Sequence, residues 1–469
     1  MSPELISILV LVAMFVIATV LPINIGILAF VAAFVLGLTL TDLDGGAILD
    51  DGFPAELAVT LIGITLLFAM ARNNGTIDWL LALALRAVRG RLIAIPWVMF
   101  AMTGVLTAFG AVSPAAVAII APVALGFAYR FAINPLLMGI MVVHGAQAGG
   151  FSPISIYGTI TNQVVEQSNL EGSPLTLFLA SLFFNLGIAI VGFFVFGGRA
   201  LLSRRTHDVE RGAEGGTEPS GAAARRAETR AAGAAGTEDA GAGTTPGSAT
   251  TATTSRDTGT DTDSTTSLTP TPYQVITLLG LIGLGIGTLF YDLDVGLSAL
   301  TVALVLALIS PHSQKSAIQH ISWSVVLLIG GVLTYVFVLQ ELGTVEYAGN
   351  AVLAVGAALL AALLLCYVGG IVSAFASSTA LLPFIIPLAV PLLQEGGGGI
   401  GAVGMVAALA VSSTVVDVSP FSTNGAIVLA NSAAEDQDHV YRMLLIFGFS
   451  VVAVAPAVAW ATMVAPGWL

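Results

Sequence analysis

The chain has 469 residues, 56% of them hydrophobic and 9% charged, with a mean hydropathy of +0.95. Soluble globular domains carry roughly 25% charged residues, so the composition excludes a soluble protein and fits a polytopic membrane protein. The net charge of −13 and the lack of basic patches oppose nucleic-acid binding. The single cysteine, Cys366, excludes an intramolecular disulfide and any cysteine-based metal cluster. Lysine occurs once, at Lys315, and the acid excess suggests adaptation to high salt.

The N-terminus lacks the basic region of a signal peptide, so the first apolar run is expected to be a retained span. Apolar runs near the length that a helix needs to cross a bilayer recur from end to end. Long two-residue alternation is absent, which argues against a β-barrel. The first runs are 5–20 and 23–40, followed by an acidic loop over 42–56 and a third run over 57–71. Residues 77–91 carry Trp79, leucines, Arg86, Arg89 and Arg91 and read as an amphipathic helix at the interface. Residues 92–130 are apolar but interrupted at Gly110-Ala111-Val112-Ser113-Pro114, the pattern of a re-entrant hairpin with a small, polar tip. A broken segment over 135–165 and a span over 174–197 complete the first half.

Residues 199–272 are rich in Gly, Ala, Thr, Ser, Glu and Arg and cannot bury enough apolar surface to order. They predict a disordered, acidic, solvated linker. Spans then return at 274–290, 296–310 and 323–340, with Leu342-Gly343-Thr344 echoing Asn74-Gly75-Thr76. A second hairpin tip falls at Ala376-Ser377-Ser378-Thr379. Glycines 396–399 lead into a second broken segment over 400–430, and 441–463 is the last span.

The breaks match. Ser152-Pro153-Ile154-Ser155-Ile156-Tyr157-Gly158 and Ser419-Pro420-Phe421-Ser422-Thr423-Asn424-Gly425 share S-P-x-S-x-x-G at a displacement of 267 positions. Order of features, offsets and motif together read as an internal duplication, with a first repeat over 1–198 and a second over 273–469. Arg199, Arg204 and Arg205 place the linker in the cytoplasm. Each half then has five crossings plus one hairpin, so the second repeat is inverted and both termini face outside. The fold expected is an all-α membrane protein of two inverted repeats in the plasma membrane.

Polar, broken backbone at membrane depth is tolerated only where it is packed in protein or lines a cavity. Two such breaks at matching positions point to a transporter binding site. Half-helix N-termini suit an anion, and short hydroxyl and amide side chains add donors without charge. The anion-site candidates are Ser113, Ser152, Ser155, Thr159 and Asn162 from the first half, with Ser377, Ser378, Thr379, Ser419, Ser422, Thr423 and Asn424 from the second. For any single serine, bonding to its own helix is the competing reading. Asp417 is a lone intramembrane carboxylate, a candidate proton carrier or cation ligand; a helix cap is the alternative. His144 and Gln147 precede the first break and join Asp417 as ion-coupling candidates, against a packing role for the histidine. No Walker A sequence, zinc-ligand spacing or nucleophile elbow occurs, so an enzyme is not expected, no cofactor is implied beyond Na⁺ or H⁺ as coupling ion, and ATP-driven transport would need a partner subunit.

Leu21-Pro22-Ile23-Asn24-Ile25-Gly26, Asn73-Asn74-Gly75-Thr76-Ile77-Asp78-Trp79-Leu80, Ile95-Pro96-Trp97-Val98-Met99-Phe100 and His144-Gly145-Ala146-Gln147-Ala148-Gly149-Gly150-Phe151-Ser152-Pro153 resemble the N-terminal region of MatC-type dicarboxylate (malonate) carriers. The resemblance covers about residues 1–200. The second half is similar only to the wider ion-transporter superfamily that includes the divalent anion/sodium symporters. That resemblance implies an elevator-type carrier, a homodimer, with scaffold segments over roughly 1–90 and 273–350 and sodium at the hairpin tips. The first tip departs from the symporters' Ser-Asn-Thr: it reads Val112-Ser113-Pro114-Ala115. The resulting expectation is a secondary transporter of small organic anions such as malonate or succinate, coupled to Na⁺ or H⁺. A cation/proton antiporter on the same fold is the alternative, and a membrane-embedded enzyme or receptor is a more distant one.

Overall fold

The computed structural model describes residues 2–21, 23–87, 91–201, 269–291, 293–353, 357–374, 378–394 and 400–467. Most of the expected linker, the tip residue Ser377 and glycines 396–399 lie outside the described residues. Those described are helical, with no β-strand among them.

The first half runs through α1 (Pro3–Val20), α2 (Ile25–Leu40), α3 (Gly45–Asp50), α4 (Ala55–Asn73), α5 (Thr76–Ala87), α6 (Ala94–Ala108), α7 (Ser113–Arg130), α8 (Pro135–Gly149), α9 (Ile156–Gln167) and α10 (Pro174–Val195). The second runs through α11 (Pro272–Tyr291), α12 (Val295–Ile309), α13 (Pro311–Gln319), α14 (Trp323–Glu341), α15 (Thr344–Leu353), α16 (Ala358–Ser373), α17 (Ser378–Ile385), α18 (Val390–Gln394), α19 (Ala402–Thr414), α20 (Thr423–Ala430) and α21 (Gln437–Ala459). Among the described residues, seven helical segments are long and apolar enough to cross a membrane, α1 and α7 among them. The molecule is therefore a multi-pass membrane protein.

One element was not legible from composition. The acidic loop over 42–56 contains α3, because the Asp44 carboxylate accepts from the Ala47 N–H at 2.8 Å and caps the helix. Acids that read as loop residues are spent on a helix start.

The halves are laced together by reciprocal contacts. α2 packs on α14, and α4 packs on α12. Both crossings are backbone-close: a Cβ on Gly331 would stand 1.9 Å from the Gly26 carbonyl oxygen, and one on Gly63 would stand 2.8 Å from that of Gly296. Small residues allow this approach, which replaces a hydrophobic drive that lipid does not supply. Further in, α7 packs on α20 and α9 packs on α17. Thus each hairpin's second arm lies on the broken helix of the other half. One apolar core gathers α6, α7 and α8 with α20 and α21, and a separate core joins α1 and α2 to α14 and α17. Polar ties also cross between halves, including Asn24 Nδ2 donating to the Ser324 carbonyl at 2.8 Å and Tyr335 donating to the Ser7 carbonyl at 2.7 Å.

Candidate functional site

Each S-P-x-S motif builds its break in the same way. Proline cannot continue the ladder, so α8 stops at Gly149 and α9 starts after Ser155. Ser155 accepts from the Gly158 N–H at 3.2 Å and donates to the Ser152 carbonyl at 2.6 Å. In the second copy Ser422 accepts from the Gly425 N–H at 3.4 Å and donates to the Ser419 carbonyl at 2.7 Å. The motif glycine is required by the same turn: a Cβ would stand 2.0 Å from the Ser152 oxygen at Gly158 and 1.9 Å from the Ser419 oxygen at Gly425. The first serine of each copy fastens the break to the end of the hairpin's first arm. Ser152 donates to the Ala108 carbonyl at 2.8 Å, and Ser419 donates to the Ala374 carbonyl at 3.3 Å.

Four of the candidate anion donors are therefore engaged with backbone. Thr159 joins them, donating to the Ser155 carbonyl at 2.9 Å. Ser378 donates to the Ser413 carbonyl at 3.1 Å and bonds Ser373 at 2.8 Å, which holds the second tip on α19 and α16. Thr423 is exposed, and Asn162 is partly buried along α9.

What converges between the breaks is a different set. Asn424 Nδ2 donates to Ser113 Oγ and to Asp417 Oδ2, both at 2.8 Å. Gln147 Nε2 lies 3.4 Å from the same Asp417 oxygen. The Tyr157 hydroxyl lies against Thr379. All six side chains are buried; Asp417 is only 7% exposed. Among the described residues no cationic side chain pairs with Asp417. Asn424 and Tyr157 occupy the same motif position in the two copies, and each touches the hairpin arm of the opposite half.

His144 belongs to a neighbouring strip. Its Nδ1 is 2.9 Å from Asn185 Oδ1, while Asn185 Nδ2 donates to the Ser181 carbonyl at 2.9 Å. That second bond fixes the amide, so His144 is the donor at Nδ1. Its Nε2 is buried without a partner, and its ring stands edge-on to Phe447 at 5.9 Å. Ser181 in turn donates to the Gln147 carbonyl at 2.9 Å. This strip pins α10 to α8 immediately before the break. Tyr157, Ser181 and Asn185 were not singled out from sequence, although Ser181 and Asn185 stand four residues apart in an otherwise apolar span.

Residues 1–150 match the family model described as the dicarboxylate carrier protein MatC N-terminus. The N-terminal third is thus similar to that region of the MatC carriers. This signature covers Ser113, His144 and Gln147 and stops before the first motif. No curated protein matches the chain. A solved structure, Neisseria gonorrhoeae MtrF, described as illuminating a class of antimetabolite efflux pumps, is similar at 12% identity with a TM-score of 0.53. The likeness covers 99% of this chain and 95% of that one and concerns the fold. A carrier-family signature on a multi-pass helical chain points to a membrane transporter rather than an enzyme.

Proposed function

We propose that the chain is a secondary active transporter of small organic anions, dicarboxylates of the malonate–succinate class, coupled to Na⁺ or H⁺. The observation that carries this is the junction at Asn424, where the first hairpin arm and the second break meet on a buried carboxylate. The similarity of residues 1–150 to the dicarboxylate carrier N-terminus supports this substrate class.

The reciprocal packing of α2 on α14 and α4 on α12, and of α7 on α20 and α9 on α17, supports two inverted repeats. On this reading both hairpins, with α8, α9, α19 and α20, form a body that moves against a scaffold over roughly 1–90 and 273–350, in a homodimer with a cytoplasmic linker and both termini outside. The substrate's anionic groups face the N-terminal ends of α7 and α17, near Ser113 and Thr379, because those ends carry positive partial charge.

The test is uptake of radiolabelled malonate and succinate into proteoliposomes under an inward sodium gradient or a pH gradient. Gradient-driven accumulation supports the reading. No uptake of either acid under both gradients, by folded protein, sinks it. The lone carboxylate at Asp417 favours one rival, cation/proton antiport. That rival predicts cation flux indifferent to added carboxylate.

A further inference from the structure

We propose that Asp417 is a positioning residue: through the Asn424 amide it fixes the Ser113 hydroxyl as a hydrogen-bond donor to a carboxylate of the substrate. The proposal rests on the carrier reading, and it gives Asp417 a task other than carrying an ion.

Each hydrogen bond in the cluster has a fixed direction. An ionised carboxylate only accepts. Asn424 Nδ2 donates to Asp417 Oδ2 at 2.8 Å, Gln147 Nε2 lies 3.4 Å from the same oxygen, and the Asn424 N–H lies 3.5 Å from Oδ1. The Ser422 hydroxyl also lies against this carboxylate. The amide oxygens, Asn424 Oδ1 and Gln147 Oε1, are buried without a hydrogen-bond partner. The charge therefore dictates how both amides are turned. Reversing either would set its oxygen against the carboxylate and strand its nitrogen. Asn424 donates its remaining N–H to Ser113 Oγ at 2.8 Å. An amide nitrogen has no lone pair to offer, so Ser113 is the acceptor in this bond. The serine keeps its own proton, for which no acceptor occurs among the described residues. Ser113 is only 3% exposed, and a buried donor without an acceptor is costly.

Ser113 opens α7, whose positive end favours an anion. A carboxylate oxygen makes the strongest, charge-assisted bond with such a hydroxyl. The second tip lacks this bias. Tyr157 and Thr379 meet through their hydroxyls, either of which can donate. The first tip is thus committed to an accepting group, while the second adapts to what the substrate presents.

Orientation and plain electrostatics predict opposite signs. A carboxylate behind the site repels an anion, so charge alone predicts tighter binding in Asp417→Asn. Lost orientation predicts weaker binding, because the Asn424 amide is then free to turn its oxygen to Ser113 and take up the proton. The melting temperature of the full chain in detergent is followed against malonate and succinate, at fixed sodium, pH and ionic strength. Half-saturation should rise roughly tenfold in Asp417→Asn and in Ser113→Ala, and the double variant should bind no more weakly than Ser113→Ala alone. Exchanging the pair, Asp417→Asn with Asn424→Asp, keeps the charge and the carboxylate–amide contact but spends the Ser113 proton. It should bind as weakly as Ser113→Ala, and it carries the test should Asp417→Asn fail to fold. Unchanged or tighter binding in Asp417→Asn, full affinity in the exchanged pair, or strictly additive losses in the double variant would each overturn the proposal alone. A wild type that binds neither acid would sink the carrier reading together with it.

Discussion

Asn424 reaches Ser113 across 311 positions of sequence, joining the first residue of one hairpin arm to the broken helix of the opposite half with a 2.8 Å hydrogen bond. The same nitrogen holds Asp417. Position of the tip and state of the carboxylate are therefore read by one amide. Ser113→Ala and Asn424→Ala should each lower transport, and the pair should cost less than the sum. A coupling of about 1 kcal/mol is expected for one hydrogen bond of this kind. A double-mutant cycle on initial uptake rates measures it, and strict additivity would show that the bond does nothing during turnover.

The motif serines and Thr423 separate architecture from binding. Ser155 and Ser422 cap half-helices, so Ser155→Ala and Ser422→Ala should each destabilise by about 1 kcal/mol. That loss should appear in thermal melting of the detergent-purified chain, while the KM of any uptake they retain stays near wild type. Thr423 is exposed, so Thr423→Ala should change neither quantity. A KM increase in Ser155→Ala with unchanged melting would make the hydroxyl a substrate ligand.

The two matching breaks and most helix bounds were legible because the S-P-x-S motif recurs and because apolar runs are punctuated by Pro, Gly and polar clusters. The broken segments over 135–165 and 400–430 appear as α8 with α9 and α19 with α20. Up to Ala87 the amphipathic stretch over 77–91 appears as α5, while residues 88–90 lie outside the described residues. The division of labour inside the motif was not legible. A serine that caps a helix and one that faces a ligand share the same letter, and only the third dimension tells Ser155 from Ser113. Tyr157 was hidden for a related reason. It reads as an ordinary aromatic until the fold of α9 onto α17 sets its hydroxyl against Thr379. Asn185 and Ser181 left a usable signal, since polar residues four apart on an apolar span share one helical face.

His144 and Asn185 invite a test of structure against ion coupling. Asn185→Leu strands the His144 Nδ1 proton in an apolar setting, at a cost of about 1–3 kcal/mol. Replacing both, His144→Leu with Asn185→Leu, removes donor and acceptor together and should be milder than the single change. Melting temperatures rank the variants. Gradient-driven uptake by the double variant then decides the role. Retained coupling makes His144 part of the α8–α10 seam, whereas lost coupling in a stable double variant would place the ring in the ion path.

The first hairpin tip meets α4 at a point with no spare room. Gly110 has a φ of +98°, which side chains resist, and a Cβ there would stand 2.1 Å from Ile64 Cγ2. Gly110→Ala therefore carries two separate penalties, about 1–3 kcal/mol of backbone strain and a similar sum for the overlap. Ile64→Ala opens space for the new methyl but cannot relieve the dihedral. The double variant should recover part of the melting temperature lost in Gly110→Ala and never all of it. If α4 belongs to a stationary body and the tip to a moving one, this contact must break in each cycle. Ile64→Ala alone should then alter the uptake rate beyond what its stability loss explains. No recovery in the double variant would mean that strain at Gly110, and not its fit against Ile64, sets the shape of the tip.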